Sequence, residues 1–442
     1  MDYAIFALGS NGNGQLGIGH CDDVSKATLC LFDSATPPPE HPVYPLKIAA
    51  GGNHTLLLYS DGSVFAAGQN DDGRCGLPRT SQPITRFTRV SFPATPSGKA
   101  ESTASTAEDM ILRFEDITAT WSSSVFVVSR GDKQIVYTCG TGDFGELGQG
   151  AEIKTSFEPC VISDWPSQND KIIATSSSFR HVVMLTADGQ LHGWGNGRKG
   201  QLGKLELSGK TTSTPKAHIV ERPRHIDLSS DVRAAACGRD FTCVLRDYGP
   251  PTILGIETEK NDKYGIRKMR SDCRVSRGPC TVLQTTWNGI YLLTKNGHCS
   301  SWGKNDKGQL IPKALRMKAL SCLKTGSEHV MACLREESTS LDDTASSLHD
   351  DPGGSEVNHT PTTSCDQRHA GKIVIWGWTE HGNCGKAIPG GVEEGGYNCF
   401  TLPEARRIAP LGAGCATTFL LAERPEMHAP WVEENVSALP ER

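Results

Sequence analysis

"LGSNGNGQLGIG", Leu8 to Gly19, puts five glycines into twelve residues around a Gln-Leu pair. Glycine accepts backbone conformations that other residues avoid, so such clustering marks a chain that turns sharply and packs backbone closely. Alone, the stretch does not distinguish a loop from a ligand cradle. Its recurrence does.

Sliding the stretch along the chain finds six further copies. They read "AAGQNDDGRCGL" from Ala66, "TCGTGDFGELGQG" from Thr138, "GWGNGRKGQLGK" from Gly193, "ILGIETEKNDKYGI" from Ile253, "SWGKNDKGQLI" from Ser301 and "IWGWTEHGNCGK" from Ile375. The lead glycines are Gly9, Gly68, Gly140, Gly195, Gly255, Gly303 and Gly377, spaced from 48 residues (Gly255 to Gly303) to 74 (Gly303 to Gly377).

Ahead of each later copy lie two short apolar runs around polar turns, as in "IAAGGNHTLLLYSDGSVFAAG" and "IIATSSSFRHVVMLTADGQLHGWG". The Asp-Gly and Asn-Gly pairs in "SDGS", "ADGQ" and "KNGH" predict two-residue hairpin turns of type I′. Four short strands per repeat predict an all-β fold, a seven-bladed β-propeller. After the seventh copy, "ARRIAPLGAGCATTFLLAE" supplies a hairpin with no glycine motif behind it, whereas "YAIFALGS" at the N-terminus supplies a motif with no hairpin ahead. The N-terminal strand is therefore predicted to complete the blade begun by residues 406–422, which removes two sheet edges.

The seventh copy also poses the question of a metal or redox site, because His381 and Cys384 stand three residues apart. A zinc site needs paired ligands recurring twice, and none of the 16 cysteines stands in C-x-x-C spacing. The stretch reads instead as a structural repeat, with Trp376 in register with Trp194 and Trp302 and all three predicted to pack between blades. Most cysteines lie in strand patterns such as "FTCVL" and are expected to be reduced and buried.

The 47 glycines, with 37% hydrophobic residues and no three-residue period, fit turns inside a packed fold. The formal charge of -5 gives no basic field for sequence-independent binding to phosphates. The opening "MDYAIFALGS" does not read as a leader, and no apolar run of 18 residues occurs, so a soluble protein of the cytoplasm, with the nucleus as a second compartment, is expected. Residues 94–110 and 335–371 are rich in Ser, Thr, Asp and Gly and predict disordered insertions, with 424–442 as a tail beyond a single propeller of residues 1–423.

Seven such motifs resemble the regulator-of-chromosome-condensation repeat family, whose fold is a seven-bladed propeller. Within it, "GSNGNGQLGIGH", "IAAGGNHTLLLYSDG", "GRDF", "TTWNGIYL" and above all "GSEHV", "WGWTEHGNCG" and "GCATTFLL" are similar to the fungal alpha-tubulin suppressor, or killer-toxin-insensitivity, proteins. That resemblance implies a non-enzymatic protein without cofactors. Its implied partner is the small zinc-ribbon, iron-binding electron carrier of diphthamide biosynthesis, held as a heterodimer. The implied pathways are diphthamide formation on elongation factor 2 and Elongator-dependent modification of the tRNA wobble uridine.

Propeller geometry brings equivalent turns onto one face around the axis. The turns ahead of each glycine motif, "GGNHT", "TWSSS", "SSFRH", "GRDFT", "TWNGI", "GSEHV" and "AGCAT", contain Trp121, Phe179, Arg239, Asp240, Phe241, Trp287, Asn288 and Glu328. Aromatics and arginine are the usual anchors of protein interfaces, so these eight are candidate partner-binding residues. Trp378, Glu380 and His381, inside the seventh motif, form a second candidate patch, and His54 and His329 recur at one register position as structural histidines.

Two other functions remain open. The founding member of the family exchanges nucleotide on a small GTPase; a basic tail and a protruding wedge would be expected for that, and no extra hairpin follows "GDFGELGQG". A generic scaffold or ubiquitin-pathway adaptor is also compatible with the architecture, although a ligase adaptor usually brings an extra domain. Catalysis by the chain itself is not expected, since G-x-S-x-G, H-E-x-x-H and P-loop patterns are absent from the sequence.

Overall fold

The computed structural model describes residues 3–92, 112–167, 170–203, 219–228, 231–247, 250–256, 258–271, 280–335, 372–386, 396–401, 405 and 407–423. Seven antiparallel sheets stand around a central axis, as the repeat count predicts. From axis to rim, blade one is Pro45–Ala50, His54–Tyr59, Val64–Gly68 and Ile84–Val90. Blade two is Arg113–Ala119, Ser123–Arg130, Lys133–Thr141 and Thr155–Val161, and blade three is Ile172–Ser177, His181–Thr186, Leu191–Asn196 and Ile219–His225.

Blades four (Val232–Cys237, Thr242–Arg246, Thr252–Leu254) and five (Cys280–Thr286, Gly289–Thr294, Cys299–Gly303) have three strands each among the described residues, not four. A short helix, Lys268–Ser271, and a 3-10 turn, Lys313–Leu315, follow their motifs and bury Met269 and Leu315 in the inter-blade core. Blade six is Leu320–Thr325, His329–Leu334, Ile373–Gly377 and Asn398–Phe400. Blade seven joins the two ends of the chain: Arg407–Ala413 and Thr417–Glu423 pair with Tyr3–Gly9 and Val24–Leu29. The seam runs from Tyr3 opposite Glu423 to Gly9 opposite Thr417 without a break in register.

The core is a ring of clusters between neighbouring blades. Second strands such as "HTLLLY" and "HVVMLT" are buried along their whole length because each blade face meets another blade, whereas the outer strand "VSKATL" leaves polar residues to solvent. Trp194 and Trp376 are fully buried in these seams, and each indole N–H crosses to the preceding blade's motif, on the Glu146 carbonyl (2.7 Å) and the Gln309 carbonyl (3.0 Å). Trp302 is likewise buried between blades four and five. Every described cysteine is a free thiol, and Cys160 is exposed while nine of the others are buried.

The lead glycine has one physical cause. Its φ is positive in all seven copies, and in blade five a Cβ on Gly303 would lie 2.2 Å from the Asn288 carbonyl oxygen. That carbonyl accepts the next residue's N–H, from Lys304 at 2.9 Å, so the turn before the second strand is tied to the strand that follows the hairpin.

The hairpin turns differ from type I′. Gly62, Gly189 and Gly297 have positive φ, but Asp61, Asp188 and Asn296 do not. Each glycine N–H closes on the residue three back, as Gly62 does on Tyr59 (3.0 Å), while the Tyr59 N–H reaches Ser63 (2.9 Å). This is the three-residue loop with a glycine bulge, which matches the strand twist with only one left-handed residue. The sequence regions 94–110, 336–371 and 424–442 lie outside the described residues. Arg335, placed by sequence in the longer insertion, still belongs to blade six, its N–H bound to the Ala319 carbonyl at 2.8 Å.

Candidate protein-binding face

The inner strands end together on one face, and the turns that follow them are stitched into an arc around the axis. Gly52 N–H donates to Trp121 (3.0 Å) and Trp121 to Phe179 (3.0 Å). Beyond blade three, Arg239 donates to Trp287 (2.8 Å), Trp287 to Ser327 (2.8 Å) and Ser327 to Gly414 (2.9 Å). Backbone bonds between blades leave the side chains of these turns to point over the channel mouth.

Three predicted aromatics converge there. The Trp121, Phe179 and Trp287 ring centroids lie 5.2, 5.6 and 6.0 Å apart, and all three residues are half-buried. They roof a small chamber at the end of the channel, which below them encloses about 630 Å³ between the inner strands. The rings therefore cap the channel with one side and meet solvent with the other.

Arginines extend this cap toward the rim. The Arg239 guanidinium carbon lies 4.9 Å from the Phe179 centroid and 5.5 Å from Trp287, and Arg180 lies 4.8 Å from Phe179 and 3.8 Å from Phe144. Arg198 stacks on the same Phe144 ring at 4.9 Å. Phe144, Arg180 and Arg198 stand outside the candidate residues named from sequence, although Arg180 lies in the turn "SSFRH". Phe144 had a legible signal, since it occupies a motif position where other copies carry polar residues.

Two predicted residues do not belong to this surface. Phe241, 2% exposed, occupies the register position that His54, His181 and His329 occupy in other blades, facing its lead glycine Gly255, and packs with Ile266, Met269 and Trp302. It stands immediately before the second strand, and its side chain turns into the seam instead of out over the axis. Glu328, 7% exposed, is held by Lys304 Nζ at 3.0 and 3.2 Å and by Gln309 at 3.4 Å, so its carboxylate serves the seam between blades five and six. Asp240 is exposed and Asn288 half-buried on the same ring of turns.

The second patch sits on this face at the boundary of blades six and seven, where the Trp378 N–H binds the Glu328 carbonyl at 3.0 Å. Trp378 is half-buried, Glu380 is exposed, and His381 Nδ1 lies 3.1 Å from Asp23 in blade seven. Cys384 instead points inward, its thiol 3.6 Å from the Trp378 carbonyl, so His381 and Cys384 diverge. Among the described residues no group of three His, Cys, Asp or Glu could hold a metal ion, and no helix is long and apolar enough to cross a membrane.

Beside the arginines, burial pushes the Glu146 carboxyl up to about 7, against the opposing charge of Arg180. Its carboxylate accepts the Phe144 N–H at 2.7 Å, the bond that Gln15, Gln201 and Gln309 make in other motifs.

Seven antiparallel blades closed by the two ends of the chain define a repeat protein of the β-propeller class. The chain belongs to the RCC1-like domain family, whose sequence model matches residues 4–420. It is 29% identical to an RCC1 repeat-containing protein of Schizosaccharomyces pombe, over 95% of this chain and 99% of that protein. It is 23% identical to the secretion-regulating guanine nucleotide exchange factor of Mus musculus, over 98% of this chain and 86% of the relative. The crystal structure of Prp20p from Saccharomyces cerevisiae superposes with a TM-score of 0.66 at 17% identity, covering 96% of this chain and 92% of that one, which shows the shared fold.

Proposed function

We propose that the chain is a non-catalytic propeller that binds the small zinc-ribbon, iron-binding electron carrier of diphthamide biosynthesis as a heterodimer. Through that partner it supports diphthamide formation on elongation factor 2 and Elongator-dependent modification of the tRNA wobble uridine, in the cytoplasm and the nucleus. One observation carries the binding role: Trp121, Phe179 and Trp287 meet with Arg239 on one face and remain half-exposed there. Large rigid rings flanked by arginine are what a hot spot needs, since they bury area at low entropic cost. The partner's identity rests on the resemblance of "GSEHV", "WGWTEHGNCG" and "GCATTFLL" to the fungal alpha-tubulin suppressor proteins.

A second reading, guanine nucleotide exchange on a small GTPase, draws support from the similarity to the mouse exchange factor along nearly the whole chain. Affinity purification of the tagged protein from its own cells, followed by mass spectrometry, separates the two. Recovery of a zinc-ribbon protein, reduced by Arg239→Ala and by Trp287→Ala, is the expected result. Recovery of a small GTPase with no zinc-ribbon protein overturns it in favour of exchange. Arg239→Ala is the cleaner variant, because Trp287 also roofs the channel.

A further inference from the structure

The face contains a ladder in which cations and rings alternate: Arg198, Phe144, Arg180, Phe179, Arg239 and Trp287, each step between 3.8 and 5.5 Å. It crosses from the motif loop of blade three to the axial turn of blade five. Stacking occupies the flat face of each guanidinium and leaves the N–H donors on its edge. None of the three arginines has a carboxylate partner among the described residues. The nearby acids do not fill that role: Asp143 and Asp240 are exposed and form no ion pair with the ladder, and Glu146 has its pKa raised to about 7 and accepts a backbone N–H. Three like charges held in line on a chain of net charge -5 are a local inversion of its field.

We infer that the ladder is the docking site for an acidic segment of a protein partner, whose carboxylates take the free edges of Arg180, Arg198 and Arg239. Ring stacking holds the guanidinium planes before binding, so less side-chain entropy is lost per bidentate carboxylate contact. A carboxylate segment is favoured over a phosphate polymer because the positive charge is a single file and the flanking Asp143 and Asp240 would repel a continuous polyanion. The inference rests on the reading of this face as protein-binding but not on which protein binds.

The test uses the full chain and a fluorescein-labelled peptide of alternating Glu and Tyr, read by fluorescence anisotropy. Binding should weaken steeply with salt, fall about tenfold or more when Gln replaces Glu in the peptide, and fall similarly in Arg198→Glu and in the Arg180→Ala/Arg239→Ala double variant. Arg198 is exposed, so its variant should fold, and a circular dichroism melt checks this for each protein. Equal binding of the Glu and Gln peptides, or unchanged affinity in the folded Arg198→Glu variant, would overturn the inference. Tighter binding of a single-stranded oligonucleotide than of the peptide would overturn it in favour of a nucleic-acid surface. If peptide binding fails while the zinc-ribbon protein is still recovered from cells, this inference falls and the proposed function stands; the opposite pair of results reverses that.

Discussion

His329 Nε2 in blade six lies 2.9 Å from Thr418 Oγ1 in blade seven, and that hydroxyl donates onward to the Asn383 carbonyl at 2.8 Å. The hydroxyl has one proton and gives it to Asn383, so the imidazole must be the donor, with its proton on Nε2. The same relay runs from His54 through Ser124 to the Arg74 carbonyl, and from His181 through Thr242 to the Gln201 carbonyl. Three of the seven seams are thus locked by one device.

These histidines give the fold an acid limit. Burial lowers His54 and His181 to about 3 and His329 to about 4, below the ordinary 6.5. Between those values the unfolded chain binds protons that the folded chain refuses, so their stabilisation is complete above about 6.5 and falls as pH drops toward 4. Urea midpoints measured from pH 7.5 to 4.5 should decline, and the slope should flatten in His329→Gln. An unchanged slope would mean that His329 does not titrate with unfolding.

At Gly303 the positive φ and the 2.2 Å approach to the Asn288 carbonyl act together, so Gly303→Ala should cost about 2–4 kcal/mol. Gly12 has open space around it and no such φ, and Gly12→Ala should change stability by less than about 0.5 kcal/mol. Paired urea titrations compare the two.

Glu146 stands where three other motifs carry Gln, and its raised pKa means that the folded protein binds a proton more tightly than the unfolded one. That contribution is complete below about 4.5 and is lost as pH rises through about 7. Glu146→Gln keeps the acceptor for the Phe144 N–H and removes the charge, so it should stabilise by about 1–3 kcal/mol at pH 8 and make little difference at pH 4.5. Thermal melts at both values provide the check.

Removing residues 1–9 takes away the strand that pairs with Thr417–Glu423 and uncovers that edge, along with the buried side chains of Ile5 and Leu8. The truncated protein should self-associate on size-exclusion chromatography, with fast hydrogen exchange in residues 417–423. A monomer with protected 417–423 would show that the ring holds without its seam.

The seven-bladed fold, the closing strand and the inter-blade placement of Trp194, Trp302 and Trp376 were legible in the sequence. Each depends on a repeated local requirement: a glycine that alone fits against a carbonyl, or an apolar run that must be covered on both sides. Repetition multiplies a weak signal until it specifies a topology. The candidate face was legible only as a set of turns.

Tertiary structure decided which turn residues face outward. Phe241 and Trp287 read alike in sequence, yet one fills the seam between blades four and five and the other roofs the axis, because Phe241 faces its lead glycine Gly255 whereas Trp287 stands two positions ahead of Gly289, the residue that faces Gly303. Glu328 is a candidate partner contact by sequence, but Lys304, 24 positions earlier, closes on it from the neighbouring blade. The ladder of Arg198, Phe144, Arg180, Phe179 and Arg239 draws on loops from three blades. Local sequence fixes each loop's shape, but only closure of the ring sets the distance between loops, and stacking of arginine on aromatic rings depends on that distance.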